Sequence, residues 1–493
     1  MGHQSPTDRD DDVFMPTIEQ LFERHGPRYR WLATATVMLG TLSMVLTSTI
    51  INVAVPAIMD EFQLGQDQVH WLATAFLAAM TVGMLVNAWC LARFGSRRTF
   101  ICAMVIFIMA SVLGGFSQNF AVLVAVRAVQ GVMAGLIQPH ALVTIFQVFP
   151  WNKRGQAMGI YGMGVVLGPA VAPALGGILV DTLSWRAVFF AVLPSCLLAL
   201  FMASRFLPGT AHARNHRLDW LGIILLGVGL TALLWALAGL ARRGLQDPVL
   251  LTALVGGPLI MGVFAAWQFR HPYPLFDPRV FRYPGFAGGF FVAMVMGAGV
   301  FGTTYLMPLY FQQVQGMTAT DAGFILIPAG IAMAIIFPLS GHLSDRLPGA
   351  VMITIGLLLM PASLLFLRAA DIGTSMVWLM FWVALGRVAL GLMMPPVNTG
   401  SLALLPAEMI PQGSGVVNFA RQIGGALGVN LSAICVQFFS DRHWHAHPEA
   451  GHPLAFEVGF DDAFLITASL FILALWPLAR MSRGQRLKRT ETS

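Results

Sequence analysis

Arg127-Ala128-Val129-Gln130-Gly131-Val132-Met133-Ala134-Gly135 sits inside an otherwise apolar run, residues 120–147. A cation in the middle of such a run is costly in a bilayer unless it faces a bundle interior or a water-filled cavity with partners. Gly131 and Gly135 follow one and two turns on, so one helix face carries both a charge and a notch of bare backbone. The pattern recurs at Arg387-Val388-Ala389-Leu390-Gly391-Leu392-Met393-Met394-Pro395, within the run 375–403. Two polar stretches repeat in the same way: Ala92-Arg93-Phe94-Gly95-Ser96-Arg97-Arg98 and Gly341-His342-Leu343-Ser344-Asp345-Arg346-Leu347-Pro348-Gly349.

A hydrocarbon core of about 30 Å needs roughly 20 apolar residues per helix. Fourteen runs meet that length: 32–56, 70–91, 99–117, 120–147, 155–180, 187–207, 219–241, 249–269, 285–311, 320–341, 350–368, 375–403, 413–438 and 463–480. Unbroken apolar runs exclude a β-barrel, which would alternate in segments of about ten residues. The repeats are offset by eight runs, whereas two halves of six would be offset by six. The spacing therefore predicts two six-helix bundles, residues 32–208 and 285–480, with two inserted helices in 209–284. A polar tail, residues 1–31, precedes them and a basic tail, 481–493, follows. Ile18 to Arg24 reads as a short amphipathic turn at the membrane surface.

Composition agrees with an all-α membrane protein. Hydrophobic residues make up 57% of the 493 and charged residues 11%, against roughly 45–50% and about 25% in soluble domains. Charges this sparse exclude a nucleic-acid binder, a disordered chain and an ordinary cytosolic enzyme. Cys90, Cys102, Cys196 and Cys435 all fall in apolar runs and read as packing residues rather than a disulfide framework. Lys and Arg crowd alternate connections, including Arg93, Arg97, Arg98, Lys153, Arg154 and Arg346, as well as both tails. By the positive-inside rule these segments, and with them both termini, are cytoplasmic. A multi-pass inner-membrane location follows as the expectation.

The motifs resemble those of the major facilitator superfamily, and within it the fourteen-helix drug:proton antiporters that include EmrB-type multidrug permeases. Gly341-x-Leu-x-Asp345-Arg346-x-x-Gly349 is similar to the family's loop motif, and Arg127-x-x-Gln130-Gly131 to its fourth-helix motif. Gly164-Val-Val-Leu-Gly168-Pro169, continuing to Gly176-Gly177, resembles the fifth-helix antiporter motif. Trp185-Arg186, Tyr310 to Gln313 and Arg421-Gln422-Ile-Gly424-Gly425 extend the likeness over about residues 32–480. The resemblance implies proton-driven export of lipophilic small molecules by alternating access. It also implies protons and the lipid bilayer as partners, a periplasmic adaptor with an outer-membrane channel as further ones, and no cofactor. In two places the chain departs from the pattern. Thr47 stands where the family carries a membrane carboxylate, and Ala92 where the loop motif carries Asp.

These residues define the candidate sites. Thr47, Asn52, Arg127, Gln130, His140, Asn398, Arg421 and Gln422 are the candidates for a proton and substrate cavity, each weighed against a role as interhelical glue. His140 is included because its ordinary pKa suits proton exchange, with a helix-end histidine bonded to backbone as the alternative. Gly164, Gly168, Pro169, Gly176 and Gly177 are expected to allow close helix approach and a bend. Gly341, Asp345, Arg346, Gly349, Arg93, Gly95, Arg97 and Arg98 form the expected cytoplasmic gate, with Asp345 set to accept from a helix N-terminus. No Asp or Glu falls within the runs except near an end. Buried arginines without carboxylates would repel a lipophilic cation and favour neutral or anionic amphiphiles. A dedicated exporter of fatty acids or another endogenous acid is the alternative reading. The histidines between Ser440 and Asp462 are the right residue type for a metal but lack a fixed spacing, so no metal site is assigned. Nor does any nucleophile–base pair or phosphate loop support a membrane enzyme. A sensor built on a transporter fold would show no net flux.

Overall fold

The computed structural model describes residues 16–69, 71–209, 217–243, 247–283, 285–370, 373–446 and 451–482, with no strand among them. With no water in the hydrocarbon, every backbone N–H and C=O must be satisfied within its own segment, and the helix is the way to do so in one pass. The membrane-length helices are α1 (Tyr29–Phe62), α2 and α3 (71–94 and 96–115), α4 (Phe120–Val148), α5 (Arg154–Thr182), α6 (Ala187–Phe206), α7 (Trp220–Arg243), α8 (Pro248–Arg270), α9 (Phe286–Gln313), α10 (Ala319–Ser344), α11 (Gly349–Arg368), α12 (Met376–Leu402), α13 (Ile410–Ala446) and α14 (from Gly451, through Ser482). Among the described residues, twelve apolar segments qualify as spans by length and composition, one of them being α2 and α3 together, and α5 is not one of the twelve. The corner between those two is Gly95, at φ 78° and ψ 171°. That left-handed φ suits a residue without Cβ, and Thr99 Oγ1 donates to the Cys90 carbonyl across the turn (3.0 Å).

Helix starts carry side-chain caps. Asn119 Oδ1 accepts from Ala121 N (2.8 Å), Asp247 Oδ1 from Val249 N (2.9 Å), and Thr318 Oγ1 from Asp321 N (3.1 Å). The apolar faces of α8 point outward, with Val255, Leu259, Val263 and Phe269 between 57% and 75% exposed. Such faces need lipid rather than water.

Two groups of helices pack internally. α2 and α4 run parallel in tight register, because Gly131 meets the Phe76 carbonyl and Gly135 the Met80 carbonyl. α1 packs on α5, α9 on α13, and α10 and α11 on α12. α7 touches the α2–α3 pair and also α13, while α8 lies against α7. Asp219 joins α7 to α8 by accepting from Gly222 N (2.8 Å), Trp267 Nε1 (3.0 Å) and Gln268 Nε2 (2.8 Å). Connections bearing Arg93, Arg97, Arg98, Lys153, Arg154 and Arg346 all lie at one end, hereafter the basic end. At the far end, Glu61 accepts from Trp185 Nε1 (2.6 Å) and pairs with Arg186 (2.5 Å), binding the end of α1 to the start of α6.

The structure corrects several expected boundaries. α1 runs from Tyr29 to Phe62, beyond the apolar core at 32–56, because polar ends of a helix remain helical in the headgroup region. The expected loop from Ser440 to Asp462 is helical up to Ala446 and again from Gly451. His447 and Glu449 lie outside the described residues, and no metal-type cluster of three occurs among those described. Ile18–His25 is a capped helix within the expected tail; its Leu21 is buried and its Phe22 ring lies edge-on to Tyr29. Residues 1–15 and 483–493 are outside the described part.

Candidate functional site

Arg127 is 1% exposed and touches three elements. Its Nε donates to the Leu72 carbonyl on α2 (3.3 Å), and its Nη1 to the Thr47 carbonyl on α1 (3.4 Å) and to Gln130 Oε1 one turn on (3.1 Å). Gln130 Nε2 donates in turn to Ser111 Oγ on α3 (2.9 Å). The Phe76 ring faces the guanidinium, 4.1 Å from its centroid to Cζ, an arrangement worth about 2 kcal/mol when desolvated. Arg127, Gln130 and Thr47 therefore meet, as a node joining α1, α2, α3 and α4. Thr47 contributes through its backbone. Its hydroxyl bonds back to the Ser43 carbonyl (2.8 Å) and its own carbonyl receives the arginine. No carboxylate pairs with Arg127, Arg387 or Arg421 among the described residues.

The other cavity candidates are scattered. Asn52 is exposed on α1, away from the node. His140 follows Arg127 by 13 residues, roughly 20 Å along α4 at 1.5 Å per residue. It is fully buried, its Nε2 is 2.8 Å from Ser96 Oγ beside the Gly95 corner, and its ring lies edge-on to Phe100. His140 thus belongs to the α2–α3 corner and not to the Arg127 node. Asn398 is 2% exposed on α12. Arg421 and Gln422 lie on α13, where Arg421 Nη2 donates to Asn418 Oδ1. Arg387 donates to Thr304 Oγ1 on α9 (3.0 Å).

At the basic end, Asp345 leaves its own bundle. It closes α10, and its Oδ1 and Oδ2 accept from Gly155 N (2.7 Å) and Gln156 N (2.8 Å), the first turn of α5. Negative charge there meets unsatisfied N–H groups and the positive end of the helix dipole. The helices can come this close because Gly341 faces Gly155 and Gly159. A Cβ on Gly341 would lie 2.3 Å from the Gly155 carbonyl and 2.8 Å from Gly159 Cα. A second cross-bundle contact joins other helices, where Ser414 Oγ on α13 donates to the Pro139 carbonyl on α4 (3.1 Å) and Gly415 abuts the Met84 carbonyl on α2. The other gate candidates do not reach across. Gly349 approaches Pro396 in its own half, Arg346 is exposed, and Arg97 donates to the Ser204 carbonyl at the end of α6. Gly95 forms the corner, and Arg93 and Arg98 flank it.

Burial pushes the Asp345 carboxyl above the usual carboxylate range, against the two backbone N–H groups and His342, which hold it down. Its proton is then bound more tightly in this closed form than in an exposed one. Acidification therefore favours the contact, which weakens as pH rises through the raised value. Asp345→Asn keeps only one of the two acceptors, its amide nitrogen standing where an oxygen accepted, and is expected to retain closure in part. Asp345→Ala frees both N–H groups and should lower the closed-to-open ratio roughly a hundredfold, at about 1.5 kcal/mol per hydrogen bond to a carboxylate. Spin-label distances between positions 153 and 347 separate the two outcomes; equal behaviour of the variants would refute the contact's role.

On α5, Gly164, Gly168 and Gly176 pack against α1 at Met38, Leu42 and Ile50. Gly177 does not join them, since a Cβ there would meet nothing within 4 Å. The side chain of Pro169 lies outside the described residues. Gly155, Ser414 and Phe76 take part in these contacts and stand outside the motifs quoted above. Gly155 and Gly159 did carry a signal, two small residues four apart at a helix start.

Residues 37–429 match the profile of the Major Facilitator Superfamily. Among curated relatives, the uncharacterized MFS-type transporter YhcA of Bacillus subtilis is 31% identical over 80% of this chain and 74% of its own length. The lincomycin resistance protein LmrB of Listeria monocytogenes is 27% identical over 81% of this chain and 84% of its own. Among solved structures, the human organic anion transporter MFSD10 superposes with a TM-score of 0.62 at 15% identity, covering 91% of this chain and 99% of that one. At that identity the likeness concerns the fold.

Proposed function

The chain belongs to the Major Facilitator Superfamily, a family of transporters rather than enzymes, and on that premise we propose that it exports amphipathic small molecules in exchange for protons. The two bundles, 32–208 and 285–480, would alternate access to a site between them, with fourteen crossings and α7 and α8 (within 209–284) peripheral. The basic end is cytoplasmic, both termini with it, and the membrane is the inner one. The observation that carries this reading is the Asp345 carboxylate of one bundle seated on the first turn of α5 in the other. Such a contact closes the cytoplasmic end and has to break each time that end opens. Relatives named for lincomycin resistance support drug-like cargo. A periplasmic adaptor and outer-membrane channel would carry the cargo onward.

The cargo is neutral or anionic. Arg127 lies buried among carbonyls, an amide and an aromatic ring with no carboxylate beside it, so a lipophilic cation would meet only repulsion there. The same feature favours a second reading, a dedicated exporter of fatty acids or another endogenous acid. Reconstitution in liposomes tests both. With a pH gradient imposed, a fatty acid or bile acid should move protons, and the Arg127→Ala protein should show only passive permeation. Ethidium exported robustly while no acid is recognised would sink the anionic preference. Thr47→Asp places a carboxylate at the arginine node and is expected to raise transport of lipophilic cations by roughly tenfold or more, an ion pair being worth about 1.4 kcal/mol or better in a water-poor site. An unchanged cation flux in that variant would mean that position 47 does not face the cargo.

A further inference from the structure

Three arginines lie within the bundles, and their donors are used differently. Arg127 spends Nε and Nη1 on Leu72, Thr47 and Gln130, and Arg387 gives Nη2 to Thr304. Arg421 gives Nη2 to Asn418 Oδ1, while its Nη1 is buried with no partner. A buried guanidinium N–H without an acceptor is a rare and unfavourable arrangement. Either the site relaxes around it or an acceptor from outside the protein fills it.

The place of Arg421 favours an external acceptor. Ser414, Asn418 and Arg421 are four and three residues apart and share one face of α13. That face addresses the other bundle, since Ser414 Oγ donates to the Pro139 carbonyl (3.1 Å). Across the interface is Tyr161 on α5, close enough for its hydroxyl and the Arg421 guanidinium to act on each other electrostatically. Tyr161 is held in place by its hydroxyl bond to Thr41 Oγ1 on α1 (3.3 Å). Arg421 also stands 11 residues from the start of α13 at Ile410, roughly 16 Å into the helix and so near mid-bilayer. Behind it, Gly297 of α9 abuts the Arg421 carbonyl and blocks retreat in that direction.

We propose that Arg421 Nη1, buried without an acceptor on the α13 face that meets the other bundle, receives the acidic headgroup of an amphiphilic organic anion. Arg127 is then a positioning residue of the N-terminal bundle and Arg421 the cargo contact. This inference rests on the export reading and deepens it. The site is also linked to closure. Arg421 holds Asn418, Asn418 Nδ2 donates to the Ser414 carbonyl (2.9 Å), and Ser414 makes the cross-bundle bond at the basic end.

The test is binding of dansylated undecanoate and of its primary amide to the full chain in nanodiscs, read by fluorescence against empty nanodiscs. Wild type should bind the carboxylate at least tenfold more tightly than the amide. Arg421→Gln should remove that preference, and Arg421→Lys should keep part of it. Amide affinity should fall far less than carboxylate affinity in both variants, and an unchanged size-exclusion profile of the loaded nanodiscs reports that they fold. A preference that survives Arg421→Gln, or one erased by Arg127→Gln and not by Arg421→Gln, overturns the assignment. Wild type that binds neither probe yet moves protons with a lipophilic cation also overturns it, with export left standing. Carboxylate binding through Arg421 without any flux would support the site and remove the export reading.

Discussion

Gly341→Val is expected to hold the basic end open and to cut transport on the order of a hundredfold. A Cβ at position 341 would stand 2.3 Å from the Gly155 carbonyl and 2.8 Å from Gly159 Cα. Both neighbours are backbone, so no side chain can swing aside, and α10 must move away from α5. That displacement withdraws Asp345 from Gly155 N and Gln156 N. Losing two hydrogen bonds to a carboxylate, at about 1.5 kcal/mol or more each, shifts a two-state equilibrium by roughly a hundredfold. Gly330→Val supplies the control on the same helix, because a Cβ there meets nothing within 4 Å. Spin-label distances between positions 153 and 347 should lengthen in the first variant and stay put in the second. A normal distance with normal flux for Gly341→Val would show that α5 and α10 do not form the gate.

Arg127→Ala should be inactive and destabilised by about 5 kcal/mol. The substitution leaves the Leu72 carbonyl, the Thr47 carbonyl and Gln130 Oε1 without their donor, at about 1 kcal/mol each. It also removes the Phe76 contact. Arg127→Lys recovers only part of this, because an ammonium is a point donor and cannot span acceptors on two other helices and its own next turn. Arg387→Ala makes the contrast. Its donor bond goes to a single hydroxyl, Thr304 Oγ1, so its cost should stay within about 1 kcal/mol. Thermal unfolding in a fixed detergent ranks the three variants. Equal losses for Arg127→Ala and Arg387→Ala would contradict the node.

Much of this was legible in the order of residues. Runs of about twenty apolar residues leave few alternatives to helices crossing a bilayer, and the duplicated Arg-x-x-x-Gly and loop motifs imply two related halves. Asp345 was readable as a helix-end acceptor because a carboxylate after a loop glycine suits that task. Which helix it would cap was not. Gly155 lies 190 residues away, and no local pattern encodes a partner at that distance. Helix ends were read short, as at α1, since hydropathy marks the hydrocarbon thickness and not the point where backbone bonding stops.

The roles of single polar residues divided in the same way. His140, Asn52 and Arg127 all looked suited to one cavity, but the helix period spread them over different faces and depths. Thr47 reads as a lost carboxylate in sequence, yet what meets Arg127 is its backbone carbonyl. Composition and hydropathy period by themselves determined that this chain is an all-helical membrane protein, because those properties act locally and along the chain. Tertiary structure decided which arginine has its donors satisfied, which glycines touch and which bundle Asp345 grips. Those outcomes depend on distances between segments far apart in sequence, set only when the helices pack.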